Sequence, residues 1–231
     1  MTPRKLLLAA SATLLALSST ALSAQGHEGH QNHGAPAAAE PAQKMVPLPG
    51  TTAAQQPKPK RDPLAYFTDR QLIDQNGKPQ RFYSDVLKGR TVVINTAYTS
   101  CSDACPLITE QMVRVRAQLG DVFGKDIFFV TISSDPETDT PQAMKAFAQK
   151  NKADVPGWVW LTGKKDDVDH ILRKLGQWSQ FAESHATHLI VWNFKTDRGR
   201  KMLPNIAPEA LAAQMKLMIS DDGARLPGLF N

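Results

Sequence analysis

Apolar positions along this chain fall into short runs whose period changes several times, and each change marks an element. Residues 91–98 and 126–133 are largely apolar runs, the second uniformly apolar through Ile127-Phe128-Phe129-Val130. Such runs, too short for helices and lacking polar alternation, predict strands covered on both faces. Between them Leu107, Ile108, Met112, Val115 and Leu119 recur at helical spacing, and Pro106 suits a first turn, so a helix is predicted over 106–119. The same reasoning gives a helix from Thr140-Pro141 to about residue 150, a strand at 158–161 and a helix at 165–175. A strand at 188–195, its hairpin partner at 199–203 and a closing helix at 208–219 complete the series. Ahead of it, residues 66–73 and 78–83 flank Asn76-Gly77 and predict an opening hairpin. Strands separated by helices, then a late hairpin, indicate an α/β fold with a mixed central sheet flanked by helices and an N-terminal hairpin extension.

The two ends read differently. Residues 1–24 carry Arg4 and Lys5, an apolar core at 6–17 and small residues after it, the pattern of an export signal. That core is too short to cross a bilayer, so cleavage after Ala21 or Ala24 is expected, with no stable membrane span afterwards. The expected destination is the periplasm or another exported compartment, where a cysteine pair can stay oxidised. Residues 25–61, rich in Ala, Pro, Gln and Gly, bury too little apolar surface to offset chain entropy and predict a disordered tether. Residues 62–223 are then one domain, followed by a tail at 224–231. Loss of residues 1–24 takes the net charge from +5 to +3, and basic residues form no stripe. Nucleic-acid binding gains no support from that.

The candidate chemistry lies in the two cysteines, Cys101 and Cys105, directly after the first buried run and at the start of the following helix. The ends of strands in open α/β sheets present reactive groups there. Residues four apart on a helical turn share a face, so the sulfurs can form a disulfide or share one metal ion. The positive end of the helix dipole favours the thiolate, which serves both chemistries. His188 heads the apolar strand, with Ile190, Trp192 and Phe194 on its face by alternation. Two thiolates and an imidazole suit copper, with zinc an acceptable competitor, and His185 is the rival to His188.

The string Ala97-Tyr-Thr-Ser-Cys101-Ser-Asp-Ala-Cys105-Pro106, the later Asp135-Pro-Glu-Thr-Asp139-Thr-Pro141 and His188 heading an apolar strand resemble the Sco/SenC family of copper proteins over about residues 64 to 220. The resemblance implies a thioredoxin-like fold and one copper per domain, Cu(I) or Cu(II), held by Cys101, Cys105 and His188. It places Asp135 beside the site, where a carboxylate can orient a ligand. It also implies a role in delivering copper to, or maturing the copper site of, a respiratory enzyme such as cytochrome c oxidase. The partners would be that copper-site apoprotein, with a thiol reductant or another copper chaperone upstream. The chain departs from the family pattern in having Ala186-Thr187 before His188 where an acidic residue is common, and in a short stretch between Leu175 and His185.

Half of the histidines, His27, His30 and His33, cluster in the tether and predict a weak Cu(II)- or Zn(II)-collecting tail. A competing function makes the same cysteines a thiol-disulfide oxidoreductase, with Cys101 attacking and Cys105 resolving. The spacing of three intervening residues, and Thr187 where a dedicated oxidoreductase carries proline, favour the metal-binding reading.

Overall fold

The computed structural model describes residues 62–222. The export signal, the tether with its three histidines and the terminal tail predicted from the sequence lie outside the described residues. Among those described, no helix is long and apolar enough to cross a membrane.

A seven-stranded mixed sheet forms the centre, in the order β2-β1-β5-β4-β3-β6-β7. Its middle is parallel: β3 (Thr91–Ala97) pairs with β4 (Ile127–Ser133), and β4 with β5 (Trp158–Gly163). Every residue of β3 is buried, as expected for a strand with helices on both faces. The late hairpin, β6 (Leu189–Asn193) and β7 (Arg198–Met202), runs antiparallel beside β3, while β1 (Gln71–Asp74) and β2 (Pro79–Arg81) extend the other edge from β5.

Side-chain alternation divides the core between the two faces of the sheet. On one face Val93, Leu189 and Val191 pack with α2 (Ala104–Leu119) and α5 (Pro208–Ile219) through Met112, Val115, Leu211 and Met215. On the other, Val92, Ile94 and Ile190 pack with α4 (Lys165–Leu175) through Val168, Ile171 and Leu172. Each fully buried side chain of this size stabilises the fold by about 1.5–3 kcal/mol relative to exposure.

Local signals set the helix ends that matter for the site. Thr140 Oγ1 accepts the Ala143 amide at 3.1 Å, and Pro141 opens α3 (Pro141–Lys150) at a position where its missing N–H leaves no gap. Gly176 stops α4 in the left-handed conformation, φ 65°, its amide donating back to Arg173 and Leu172 carbonyls.

One predicted element differs. Residues 66–73 do not form a single strand: α1 (Pro63–Phe67) takes the first part because Asp62 caps the Leu64 amide at 3.0 Å and Pro63 presets the first turn. The return strand also stops at Arg81, where a π-helical turn (Phe82–Leu87) begins, tied down by Asp69 accepting the Ser84 amide and hydroxyl at 2.8 and 2.6 Å.

Candidate metal centre at the thiol pair

Both cysteines are reduced and buried, Cys101 in the turn after β3 and Cys105 in the first turn of α2. Asp103 precedes the helix without capping it by its side chain. A sulfur does so instead: the Cys105 amide donates to Cys101 Sγ at 3.3 Å. An orphan helix amide is thereby satisfied by the group that benefits from partial positive charge.

The two thiols are driven apart in acidity. Burial pushes Cys101 up, but hydrogen bonds from the Cys105 thiol, the Cys105 and Asp103 amides and Tyr98 outweigh it, and its pKa falls below the ordinary thiol value. Burial pushes Cys105 well up, and the hydrogen bond to Cys101 and the Asp139 charge add to it. The pair therefore holds one thiolate-prone sulfur at the rim, 9% exposed, and one protonated sulfur beneath it, 1% exposed. Tyr98, whose hydroxyl bonds to Cys101, has its own pKa raised for that reason first and by burial second.

The structure brings His185, and not His188, to this pair. Its Nε2 lies 3.8 Å from Cys105 Sγ, and its ring meets the Tyr98 ring edge-on at 6.0 Å. Nδ1 sits 3.0 Å from the Ala186 carbonyl; as the N–H donor there, it leaves Nε2 with its lone pair toward the sulfur. Burial lowers the His185 pKa, the Ala186 bond opposing, which keeps the ring neutral and able to ligate.

His188 is on the other side of the sheet for the reason that made it conspicuous in the sequence. Its alternation partners Ile190, Trp192 and Phe194 belong to the α4 face, whereas α2, which carries Cys105, covers the face of Leu189 and Val191. The His188 ring is half-buried, its Nε2 has no hydrogen-bond partner among the described residues, and burial, then Lys201, lowers its pKa.

Asp135 serves its turn. Its amide donates to Ser133 Oγ at 2.9 Å, and its carbonyl accepts the Thr138 and Asp139 amides at 3.1 and 2.8 Å. The carboxylate behind the thiols is Asp139, 1% exposed, which accepts from the Thr99 amide at 3.0 Å, the Thr99 hydroxyl at 2.5 Å and the Ser133 hydroxyl at 2.5 Å. Burial raises its pKa against those bonds. It fixes the turn Tyr98–Cys101 from below. Gln177 performs a similar task for the histidine loop: it accepts from Thr96 Oγ1 on β3 and donates to the His188 carbonyl at 2.9 Å. Asp139 stands in the Asp135–Pro141 string, but its role depends on partners brought together by strand pairing, and nothing in the sequence marks Gln177.

Among the described residues, no three His, Cys, Asp or Glu side chains are already drawn to coordinating geometry. The donor set nevertheless fits a soft metal. Metal–sulfur and metal–nitrogen bonds of about 2.3 and 2.0 Å at tetrahedral to trigonal angles put the two atoms about 3.5–3.8 Å apart, which is the Cys105–His185 separation.

Comparison with known proteins gives the family and the fold. The chain is 36% identical over 106 residues to a SCO2-like protein of Rickettsia conorii, covering 46% of this chain and 49% of that protein. It thus spans about half the length of the relatives that it matches. Among solved structures, a SCO1/SenC family lipoprotein from Bacillus anthracis is 27% identical with a TM-score of 0.56, covering 64% of this chain and 91% of that one. Bradyrhizobium japonicum ScoI, solved with copper bound, is 25% identical with a TM-score of 0.55, covering 64% and 96%. These neighbours share the thioredoxin-like arrangement of a mixed sheet between helices. The SCO1/SenC family pattern matches residues 59–215, more than half of the sequence, and the chain belongs to the SCO1/SenC family.

Proposed function

We propose that this chain is an exported copper-binding protein that delivers copper to, or matures the copper site of, a respiratory copper enzyme such as cytochrome c oxidase. Its ligands are Cys101, Cys105 and His185, one copper per domain. The observation that carries this reading is the 3.8 Å approach of His185 Nε2 to Cys105 Sγ, with Nδ1 facing a carbonyl. Two sulfurs and one imidazole satisfy Cu(I) as three ligands, and Cu(II) would add an oxygen or water. Copper in Bradyrhizobium japonicum ScoI supports the choice of metal. The basic, apolar and small-residue order of residues 1–24 supports export, and His27, His30 and His33 supply a weaker collecting site.

The test is copper titration of the reduced protein, with metal analysis, in wild type, Cys101→Ser, Cys105→Ser, His185→Ala and His188→Ala. Either serine variant should lose tight binding, because a hydroxyl is a poor copper ligand at neutral pH. Unchanged affinity in His185→Ala, with loss in His188→Ala, would return the third ligand to His188.

The acidity difference between the thiols supports a second reading, reduction of a disulfide in the copper-site apoprotein. The Cys101 thiolate would attack one sulfur of that disulfide and release the other as a thiolate, forming a mixed disulfide. Cys105, after losing its proton, would then attack Cys101 Sγ and release the partner's second thiolate. The chain would end with Cys101–Cys105 oxidised and need a thiol reductant to return. His185→Ala separates the two readings, since it spares both thiols: reductase activity should persist while copper delivery fails.

A further inference from the structure

On the α4 face of the sheet, away from the thiols, lies a groove of about 470 Å³ that the metal site does not use. Its floor is apolar. Gly199 lies directly beneath the Trp192 indole, where a Cβ would come within 2.1 Å of the ring, so only glycine leaves the ring in place. Ile190 and Phe67 continue the floor.

The rim is cationic. Arg173 and Lys174, from the last turn of α4, face Lys201 of β7, which pairs with Ile190 and so shares its face, and no carboxylate lines the groove. Arg173 stacks on Trp178 at 3.8 Å and reaches Asp169 only at 4.0 Å, while Lys174 sits over the Tyr66 ring at 5.5 Å. Among the described residues, Lys174 and Lys201 have no carboxylate within ion-pair distance. Three like charges around one slot repel one another, a cost that an anionic occupant removes.

We propose that this groove docks an acidic segment of a protein partner, one that carries an apolar or aromatic side chain beside its carboxylates. The rim selects the charge and the indole floor accepts the side chain. The shape excludes a lipid surface, because a bilayer cannot follow a slot of this size, and the apolar floor offers nothing to a free phosphate. Rim charges of this kind accelerate encounter and set partner choice, and their effect falls with salt. The groove adjoins Gly176, where the loop carrying His185 begins, so a segment held there lies beside that loop.

The probe is a synthetic peptide with glutamates on both sides of a phenylalanine, against the same peptide with glutamine in place of glutamate. Binding to the full chain is read by fluorescence anisotropy and by perturbation of Trp192 and Gly199 resonances. Wild type should bind the acidic peptide at least tenfold more tightly than the glutamine control, with affinity falling as salt rises. Lys174→Glu combined with Lys201→Glu should abolish the preference while leaving the melting temperature and copper stoichiometry unchanged. Equal binding of both peptides, an unchanged preference in the double variant, or binding only to anionic phospholipid vesicles would overturn the proposal. Copper stoichiometry is read independently, so failure of the groove and failure of the metal site are distinguishable.

Discussion

His185 and His188 stand three residues apart and occupy opposite physical worlds. His185 belongs to a loop, is 7% exposed, and has a carbonyl at one ring nitrogen and a sulfur at the other. His188 stands at the head of a strand, on the face where its neighbours are Ile190 and the ammonium of Lys201, with an Nε2 that has no partner among the described residues. The difference teaches that a strand start places a side chain by parity, whereas a loop is free to deliver one to the site. Placement by the sheet decides the face; chemistry at the site is decided by what the loop brings there.

The largest expected effect tests that contrast directly. His185→Ala should weaken copper binding by more than about 100-fold, beyond the 10–100-fold range of losing an outer contact, while His188→Ala should change it by less than about threefold. Competition titration with a Cu(I) chelator measures both, and similar losses in the two variants would erase the distinction. Next comes a change confined to the His188 face. Gly199→Ala drives a Cβ to 2.1 Å from the Trp192 ring, an overpacking worth about 2 kcal/mol. Denaturant unfolding should show that loss with copper affinity per folded molecule intact.

Gln177→Leu bridges the two regions. It leaves the buried Thr96 hydroxyl and the His188 carbonyl without their partner, for about 1–2 kcal/mol of stability. Because Gln177 ties the base of the loop, alongside the Ser134 hydroxyl bonded to the Ala182 carbonyl, copper affinity should fall as well, by less than in His185→Ala; Gln177→Glu should restore part of it if the acceptor to Thr96 is what matters. The smallest effect is in pH. The folded-state pKa of His185 is lowered by burial, so below 6.5 the unfolded chain binds more protons than the folded one. Its contribution is complete above 6.5 and is lost as pH falls from there through the folded value. Asp139 works in the opposite sense, its raised pKa taking stability away as pH rises above 3.8. Melts of wild type and His185→Gln from about pH 5 to pH 7.5 isolate the histidine, and the variant should show the shallower loss on acidification.

The predicted helices 165–175 and 208–219 match the observed bounds, and the two buried strands of the centre differ by one residue at an end. Their signals are periodicity and local caps, which short segments carry in full. The thiol pair was legible for the same reason: a strand end and a helix start are adjacent in sequence. The histidine that lies beside the pair was not. Parity says that His188 shares a face with Ile190, but which face α2 covers is set by packing of Leu189 and Val191 against Met112 and Met215, residues far apart in the chain. Asp139 escaped notice because its partners, Thr99 and Ser133, meet only when β3 and β4 pair.

The Gln177 carboxamide has a consequence for variation in length. By reaching from the residue after Gly176 to the His188 carbonyl, it closes residues 178–187 into a ring whose base is one side chain wide. The entropy of closing such a ring grows only with the logarithm of its size, about 0.6 kcal/mol for each doubling. Insertions between residues 178 and 184 therefore disturb neither the strand register nor the helix end, and they change how far the imidazole extends and what outline the rim offers to another molecule. The place where this fold tolerates added chain most cheaply is the place from which it reaches outward.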